Sequence, residues 1–554
     1  MKRRDAIKGL SLLPLAGVYG SALAQGATIA SNSKTGVLGV LASANQTGAE
    51  ASAEVFRAIG VEPIINCRGT FTIIGGSVEL PEVKAAVHAA ADNFVQYDEL
   101  AAGVGQHLAK LTGAEWGMVS SGCAAGMKHV TVACLTGGNP EKLIRLPNVA
   151  GLEKTEVIIP LYSRNYYDHA IRNTGATIIT VETAEELKNA ISERTAMIYI
   201  MTGSQSEEGP LSTRAIAAMA KPHNVPILVD AAAEDLTVPN VHLEQGADVV
   251  AYSGGKVMCG PQGAGLLLGK KSILQAAWQA SAPHHGIGRN DKVGREETMG
   301  MVAAVEAWLQ RDHKAVWQKW LSWLDTINKR VSTIPGIKTE VREPNRLSNH
   351  SPSLSITWDP KALHVTGDEI VDEMVRARPR IAVGGSRGEN GLTGVSITAF
   401  QMQDGNDKIV ADRLYEVLSQ KRTPKSTAPV AAAHDVTGRW EVNIKFANSE
   451  SVHNFYIEQK DNWVTGVHQG DFYTRDMVGS VEGNEVKFQS AYRVPGDSLV
   501  FSFSGTLSGN DGDQMTGRVH MGEYLECTFA AKKVEYTTEN RRSIKIPVGP
   551  PLST

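Results

Sequence analysis

Between about residue 60 and residue 420 the chain alternates two kinds of apolar pattern. Short, nearly continuous apolar runs of strand length occur at Gly175 to Val181, Ala196 to Met201, Val225 to Ala233 and Ala247 to Ala251. Between such runs lie stretches with apolar residues at helical spacing, at Glu79 to Asn93, Glu99 to Thr112 and Ala184 to Ile191. Strands without an in–out alternation are buried on both faces. When they alternate with helices, they predict a mainly parallel sheet covered by helices on both sides. Gly300 to Ile334 reads as one long amphipathic helical stretch. It carries Trp308, Trp317, Trp320 and Trp323, which suit core or subunit packing better than a ligand cage. Residues 335 to 418 return to short strands and helices, as a smaller subdomain would.

The period changes after Lys421 to Ala433, a stretch rich in Pro, Ala, Ser, Thr and Lys that reads as a linker. Apolar and polar residues then alternate strictly in Gly438-Arg439-Trp440-Glu441-Val442-Asn443-Ile444-Lys445-Phe446, and the alternation recurs through Lys533. Turn signals such as Gly483-Asn484 and Pro495-Gly496-Asp497 separate about eight or nine such runs. This predicts an antiparallel barrel or sandwich, whose outline resembles a small lipocalin-type barrel. The expected role is a lid, docking or assembly module, with a ligand binder as the alternative. His453, His468 and His520 have no diagnostic metal spacing, so no metal site is assigned.

The N-terminus has a different character. Met1-Lys2-Arg3-Arg4-Asp5-Ala6-Ile7-Lys8 carries a twin arginine. An interrupted apolar run from Gly9 to Ala24 follows, and Ala22-Leu23-Ala24 offers a small-residue cleavage site. Residues 1–24 thus read as a twin-arginine signal peptide rather than a membrane span, and the mature chain is expected in the periplasm or secreted. The remaining division is a flexible leader over 25–52, an α/β domain over 53–420, a linker over 421–434, a β-barrel-like domain over 435–535 and a tail over 536–554.

At 554 residues the chain exceeds what one hydrophobic core serves. Its formal charge of −4 gives no footprint for nucleic acid. The five cysteines, Cys67, Cys123, Cys134, Cys259 and Cys527, form no CxxC pair and are expected as free thiols.

Candidate chemistry concentrates in Tyr252-Ser253-Gly254-Gly255-Lys256-Val257-Met258-Cys259-Gly260-Pro261-Gln262-Gly263-Ala264-Gly265, with five glycines around one lysine. A lysine in such a loop can lose solvation and act as a nucleophile; a solvated surface lysine is the alternative. Asp230 closes an apolar run 26 residues upstream. A strand-end carboxylate followed by a lysine after the next strand is what pyridoxal 5'-phosphate (PLP) requires. The lysine attaches the cofactor and the carboxylate keeps its pyridine nitrogen protonated.

Ser253-Gly254-Gly255-Lys256 followed by Gly260-Pro261-Gln262 resembles the Ser-Gly-Asp-Lys…Gly-Pro-Gln segment of bacterial selenocysteine synthase (L-seryl-tRNA(Sec) selenium transferase) and of its D-glucosaminate-6-phosphate ammonia-lyase relatives. Ile64-Ile65-Asn66-Cys67-Arg68-Gly69-Thr70 is similar to those enzymes' Ile-Asn-Ala-Thr-Gly-Thr. The resemblance runs from about Val61 to about Leu418 and implies a fold-type I, aminotransferase-like PLP domain. It places the cofactor phosphate on Ser121, Gly122, Cys123 and Ala124, where a strand, a small-residue turn and a helix start follow one another. Ser253 is then a second phosphate contact. Within Arg164-Asn165-Tyr166-Tyr167-Asp168-His169-Ala170 it implies a residue stacked on the pyridine ring, His169 first and Tyr167 second. Gly203-Ser204-Gln205-Ser206 should lie near the cofactor's phenolic oxygen. Arg289, Lys292 and Arg295 match the ammonia-lyases' basic segment and are candidates for a substrate carboxylate or phosphate, or for a solvated turn capping the next helix.

Together these imply a small-molecule amine substrate and a homodimer or larger homo-oligomer. The expected activity is an exported lyase that eliminates or deaminates an amino acid or amino-sugar acid. A selenium transferase-like enzyme is the runner-up, and a non-catalytic protein acting through its β-domain is the third reading.

Overall fold

The computed structural model describes residues 49–389, 391–424 and 429–535. The expected signal peptide at residues 1–24, most of the expected leader and the tail lie outside the described residues. The chain divides into two compact units between Arg422 and Thr423.

In the first unit the strands are β1 (Ile64–Cys67), β2 (Trp116–Ser120), β3 (Glu156–Pro160), β4 (Thr177–Val181), β5 (Thr195–Met201), β6 (Ile227–Asp230), β7 (Val249–Ser253), β8 (Gly265–Gly269), β9 (Lys338–Arg342), β10 (Ser353–Trp358), β11 (Arg380–Arg387) and β12 (Thr393–Thr398). A seven-stranded sheet has the order β2-β8-β7-β6-β5-β3-β4. It is parallel from β7 through β4, and β8 runs antiparallel to both β7 and β2. A second sheet, β1-β11-β12-β10-β9, forms the smaller subdomain.

Strand alternation divides the core between the two faces of the large sheet. Ile158, Ile198, Ile200, Val229 and Val250 pack on one face. Val157, Ile159, Met197, Tyr199 and Leu228 pack on the other, with Met127 and Val130 of the Gly122–Thr136 helix. Each buried aliphatic side chain contributes roughly 1.5–3 kcal/mol, so the register of β6 is firmly set. With Leu228 on the face covered by the Gly122–Thr136 helix, Asp230, two residues on, points the same way.

The stretch from Gly300 to Ile334 is two helices, not one: Arg295–Gln310 and His313–Val331. Arg311 is extended, and Asp312 caps the second helix by accepting from the Ala315 N–H. An aspartate with a helix N-cap role favours such a restart. Trp308 is buried and donates to the Leu236 carbonyl at 2.8 Å. Trp317 and Trp320, with Phe400 and Val257, line a cavity of about 440 Å³.

The second unit is a closed barrel of eight antiparallel strands: β13 (Gly438–Lys445), β14 (Glu450–Lys460), β15 (Trp463–Gln469), β16 (Thr474–Glu482), β17 (Glu485–Val494), β18 (Asp497–Ser508), β19 (Gln514–His520) and β20 (Cys527–Val534). Each strand pairs with the next, and β20 returns to β13. Trp440, Val442 and Ile444 point inward, as their period of two requires. No helix among the described residues is long and apolar enough to cross a membrane.

Candidate active site

Asp230 ends β6 on the face covered by the Gly122–Thr136 helix and is buried. Three groups donate to its carboxylate: the Tyr199 hydroxyl at 2.8 Å, the Ala232 N–H at 3.0 Å and the Cys123 thiol at 3.6 Å. Among the described residues no cation forms an ion pair with it, although the charge of Lys256 reaches it. Burial pushes the Asp230 carboxyl above the usual carboxylate range, and Tyr199, Ala232 and Lys256 pull the other way. Burial likewise raises the Tyr199 hydroxyl and the Cys123 thiol, each further raised by the Asp230 charge.

Lys256 lies in the loop between β7 and β8, half-buried. The loop is braced by its own backbone: Gly254 N–H to Ala264 O at 2.8 Å, Gly260 N–H to Gly254 O at 2.8 Å and Cys259 N–H to Lys256 O at 3.0 Å. It is also docked on the chain before the first long helix, through Ser77 N–H to Gly255 O at 3.0 Å. Gln262 explains one of the glycines. A Cβ on Gly255 would stand 2.2 Å from the Gln262 Oε1 and 2.7 Å from its Cα.

Ser121, Gly122, Cys123 and Ala124 form the turn into the Gly122–Thr136 helix. Gly122 has φ +81°, a conformation open to glycine. β8 passes so close that a Cβ on Gly265 would lie 2.4 Å from the Gly122 carbonyl carbon. The Ser121 side chain makes no capping bond, so the first-turn N–H groups of this 15-residue helix keep their capacity for an external acceptor. The helix start also carries Cys123, whose thiol meets Asp230. Ser253, at the end of β7, is half-buried.

This set fits PLP. It offers an amine for covalent attachment, a buried carboxylate with no bonded cation and a helix N-terminus with free donors for a phosphate.

Other sequence candidates are placed differently. His169 is exposed at the start of a short helix, and Tyr167 is 58 % exposed. Among the described residues neither bonds to Asp230 or Tyr199. Their segment is instead fixed by buried Asp168, which pairs with Arg164 at 2.6 Å and Arg172 at 2.8 Å. From the same segment the Asn165 amide donates to the Tyr199 hydroxyl at 3.3 Å. Arg295 begins the Arg295–Gln310 helix, and its side chain turns to an earlier helix rather than capping its own. It donates to the carbonyls of Ala90 (3.0 Å) and Ala91 (3.1 Å), which end the Pro81–Ala91 helix. Arg289 and Lys292 are exposed. The Gly203 segment starts a short helix after β5, with Ser206 bonded back to Gly203. All five cysteines are free thiols.

Sequence reasoning missed Tyr199 and Asn165. The signal for Tyr199 was a hydroxyl within an apolar run, since a buried tyrosine needs a polar partner. Asn165 gave none beyond its turn-forming character.

Fold and site together define a fold-type I, aminotransferase-like PLP protein. The aminotransferase class-V family matches residues 169–348. The chain is homologous to D-glucosaminate-6-phosphate ammonia-lyase and to L-seryl-tRNA(Sec) selenium transferase, PLP-dependent enzymes of that superfamily. The Salmonella typhimurium ammonia-lyase is 29% identical over 298 residues, which are 52% of this chain and 78% of that enzyme. A Streptomyces 5'-C-glycyluridine monooxygenase-decarboxylase is 26% identical over 66% of this chain and 92% of its own length. The selenium transferase of Proteus mirabilis is 29% identical, but over only 23% of this chain and 29% of that enzyme. A solved D-glucosaminate-6-phosphate ammonia-lyase superposes with a TM-score of 0.59 at 26% identity, covering 66% of this chain and 98% of that one.

Proposed function

We propose that the chain is an exported PLP-dependent lyase. It removes ammonia, by α,β-elimination, from an amino acid or amino-sugar acid that carries a β-hydroxyl or similar leaving group. The observation that carries this reading is the buried Asp230 carboxylate, without a bonded cation, close to Lys256 and beside an uncapped helix N-terminus.

Bound PLP would supply a sink for the electron pair left when the substrate's α-proton departs. Lys256 would hold the cofactor covalently and, once freed by the substrate amine, take that proton. Asp230 would keep the proton on the pyridine nitrogen, with Tyr199, Ala232 and Cys123 orienting its two oxygens. Ser121 to Ala124 and Ser253 would hold the phosphate. The net reaction balances: the water lost with the hydroxyl returns on hydrolysis, leaving a 2-keto acid and ammonia.

The test is an absorbance band near the visible in purified protein, together with ammonia and keto-acid release. The panel is D-glucosaminate 6-phosphate, D-glucosaminate, serine and threonine. A cofactor band without release from any β-hydroxylated substrate would refute elimination. The transferase reading rests on matches covering 28–46% of those enzymes. Tight, serine-tRNA-selective binding at physiological salt would favour it. Export is carried by Arg3-Arg4 and is tested by replacing both with Lys, which should hold the PLP-loaded precursor in the cytoplasm. Light scattering tests the expected homo-oligomer.

A further inference from the structure

The barrel holds a polar cluster that the chemistry of the first unit does not use. At the end of the barrel where β15 turns into β16, His453 Nδ1 lies 2.8 Å from His468 Nε2, and His468 Nδ1 lies 2.7 Å from the Ser490 hydroxyl. All three residues are buried. The outer nitrogen of His453 faces the Asp471 carboxylate at 3.5 Å, and the Ser451 hydroxyl donates to the same carboxylate. Because Asp471 only accepts, the chain has one consistent direction: Ser490 donates to His468, His468 to His453, and His453 to Asp471. Both imidazoles are neutral in this arrangement.

Arg475 stands directly across from His468 in the β15–β16 ladder and points inward with it. It is 7% exposed, with its guanidinium 4.6 Å from the centre of the Phe501 ring. Among the described residues its Nε and Nη1 have no hydrogen-bond partner, and no carboxylate forms an ion pair with it. The nearby Asp471 takes its hydrogen bonds from Ser451 and His453, and only its charge reaches the guanidinium. Buried guanidinium donors without an acceptor are costly and are retained where something pairs them. Eight-stranded barrels are of the size that either fills with side chains or takes one small ligand. Here the opposite end is filled, with Trp440 bonded to the Val436 carbonyl. The Arg475 end is rimmed by exposed Phe472 (76%) and by Tyr473, which stacks on Tyr492 at 3.8 Å.

We propose that this end of the barrel binds an amphipathic monocarboxylate, its carboxylate paired with Arg475 and its apolar body lying toward Phe472 and Tyr473. Two buried guanidinium donors without an acceptor ask for a carboxylate, and the aromatic rim asks for an apolar body. The inference does not rest on the reading of Lys256 and Asp230.

The experiment is calorimetric titration of the full-length protein with decanoate, with 1-decanol and with inorganic phosphate. Decanoate should bind, and 1-decanol at least tenfold more weakly. Arg475→Met should weaken decanoate at least tenfold, about 1.4 kcal/mol, while Arg475→Lys keeps part of the affinity. Gly470→Ala keeps every charge but sets a methyl group 2.9 Å from the Arg475 Nη1, so it should weaken decanoate at least threefold. Without ligand, Arg475→Met should melt no lower than wild type, since it removes buried donors without an acceptor. Absence of decanoate binding at millimolar concentration would overturn the proposal, as would equal affinity in Arg475→Met or binding of phosphate in place of decanoate. A lowered melting temperature in Arg475→Met would also overturn it, by making the arginine structural.

Discussion

Asp230→Asn separates the functional from the structural demand on one residue. The variant keeps the size of the side chain and an acceptor for the Ala232 N–H, now at 3.0 Å, and its amide can donate to the Tyr199 oxygen at 2.8 Å. What it loses is the negative charge. A carboxylate within hydrogen-bond reach raises the pKa of a neighbouring protonated nitrogen by about 1–3 units, and each unit corresponds to about 1.4 kcal/mol. Turnover of the PLP-loaded enzyme should therefore fall about 10- to 1,000-fold, with the cofactor still bound through Lys256. Stability of the cofactor-free protein should move the other way. Burial raises the folded-state pKa of Asp230 above its unfolded value. The stability tied to this group is thus fully present below the unfolded pKa and is lost as pH rises through the folded pKa. The neutral amide avoids that loss. The melting temperature of cofactor-free Asp230→Asn should thus match wild type at acid pH and equal or exceed it at pH 8. Thermal melts across pH 4–8 and kcat on the PLP-loaded protein make the test. Turnover within twofold of wild type would refute the assignment of Asp230 as the pyridine partner. A variant several degrees less stable at pH 8 would refute the reasoning from burial.

Lys256→Ala should abolish the borohydride-reducible cofactor adduct, and a pyridoxyl-peptide recovered at another lysine would sink the assignment. Tyr199→Phe removes the 2.8 Å donor to Asp230 and one of the acceptors of the Asn165 amide, which keeps its 2.7 Å bond to the Ser163 carbonyl. It should cost about 1–3 kcal/mol of stability. Because the tyrosine bond holds the Asp230 pKa down, its loss should also move the acid limb of the pH–rate profile to higher pH; an unmoved limb argues against the coupling. Deleting residues 434–554 should leave a soluble, PLP-bound core, since the chain divides into compact units just before, at Arg422 and Thr423. An insoluble, cofactor-free truncation would show that the first unit needs the barrel.

Much of this protein was legible in the chain itself. The near-continuous apolar runs ending at Asp230 and before Ser253 specify buried parallel strands, because only a sheet covered on both faces accommodates them. The change to a period of two after the linker specifies a one-sided antiparallel sheet, and closure into eight strands is its low-cost way to avoid free edges. Asp230 stood out as the one ionisable group closing an apolar run, and Lys256 as the one lysine among the five glycines of the loop that follows the next run.

Tertiary structure decided the groups whose neighbours are distant in sequence. Tyr199 and Asp230 meet because β5 and β6 are adjacent and in a register that turns both side chains to one face. Cys123 joins them from a helix start more than a hundred residues earlier, with a contact separation of 107 positions. Arg295 read as a substrate cation because its charge is visible in sequence, whereas the Ala90 and Ala91 carbonyls that take it are exposed only by where a distant helix stops. The same holds for Arg475, which occupies an inward position of an ordinary alternating strand. That its Nε and Nη1 have no hydrogen-bond partner among the described residues emerges only once eight strands close around it. Periodicity fixes which face a side chain takes; the partner it finds there is set by long-range strand order and packing, which no local pattern encodes.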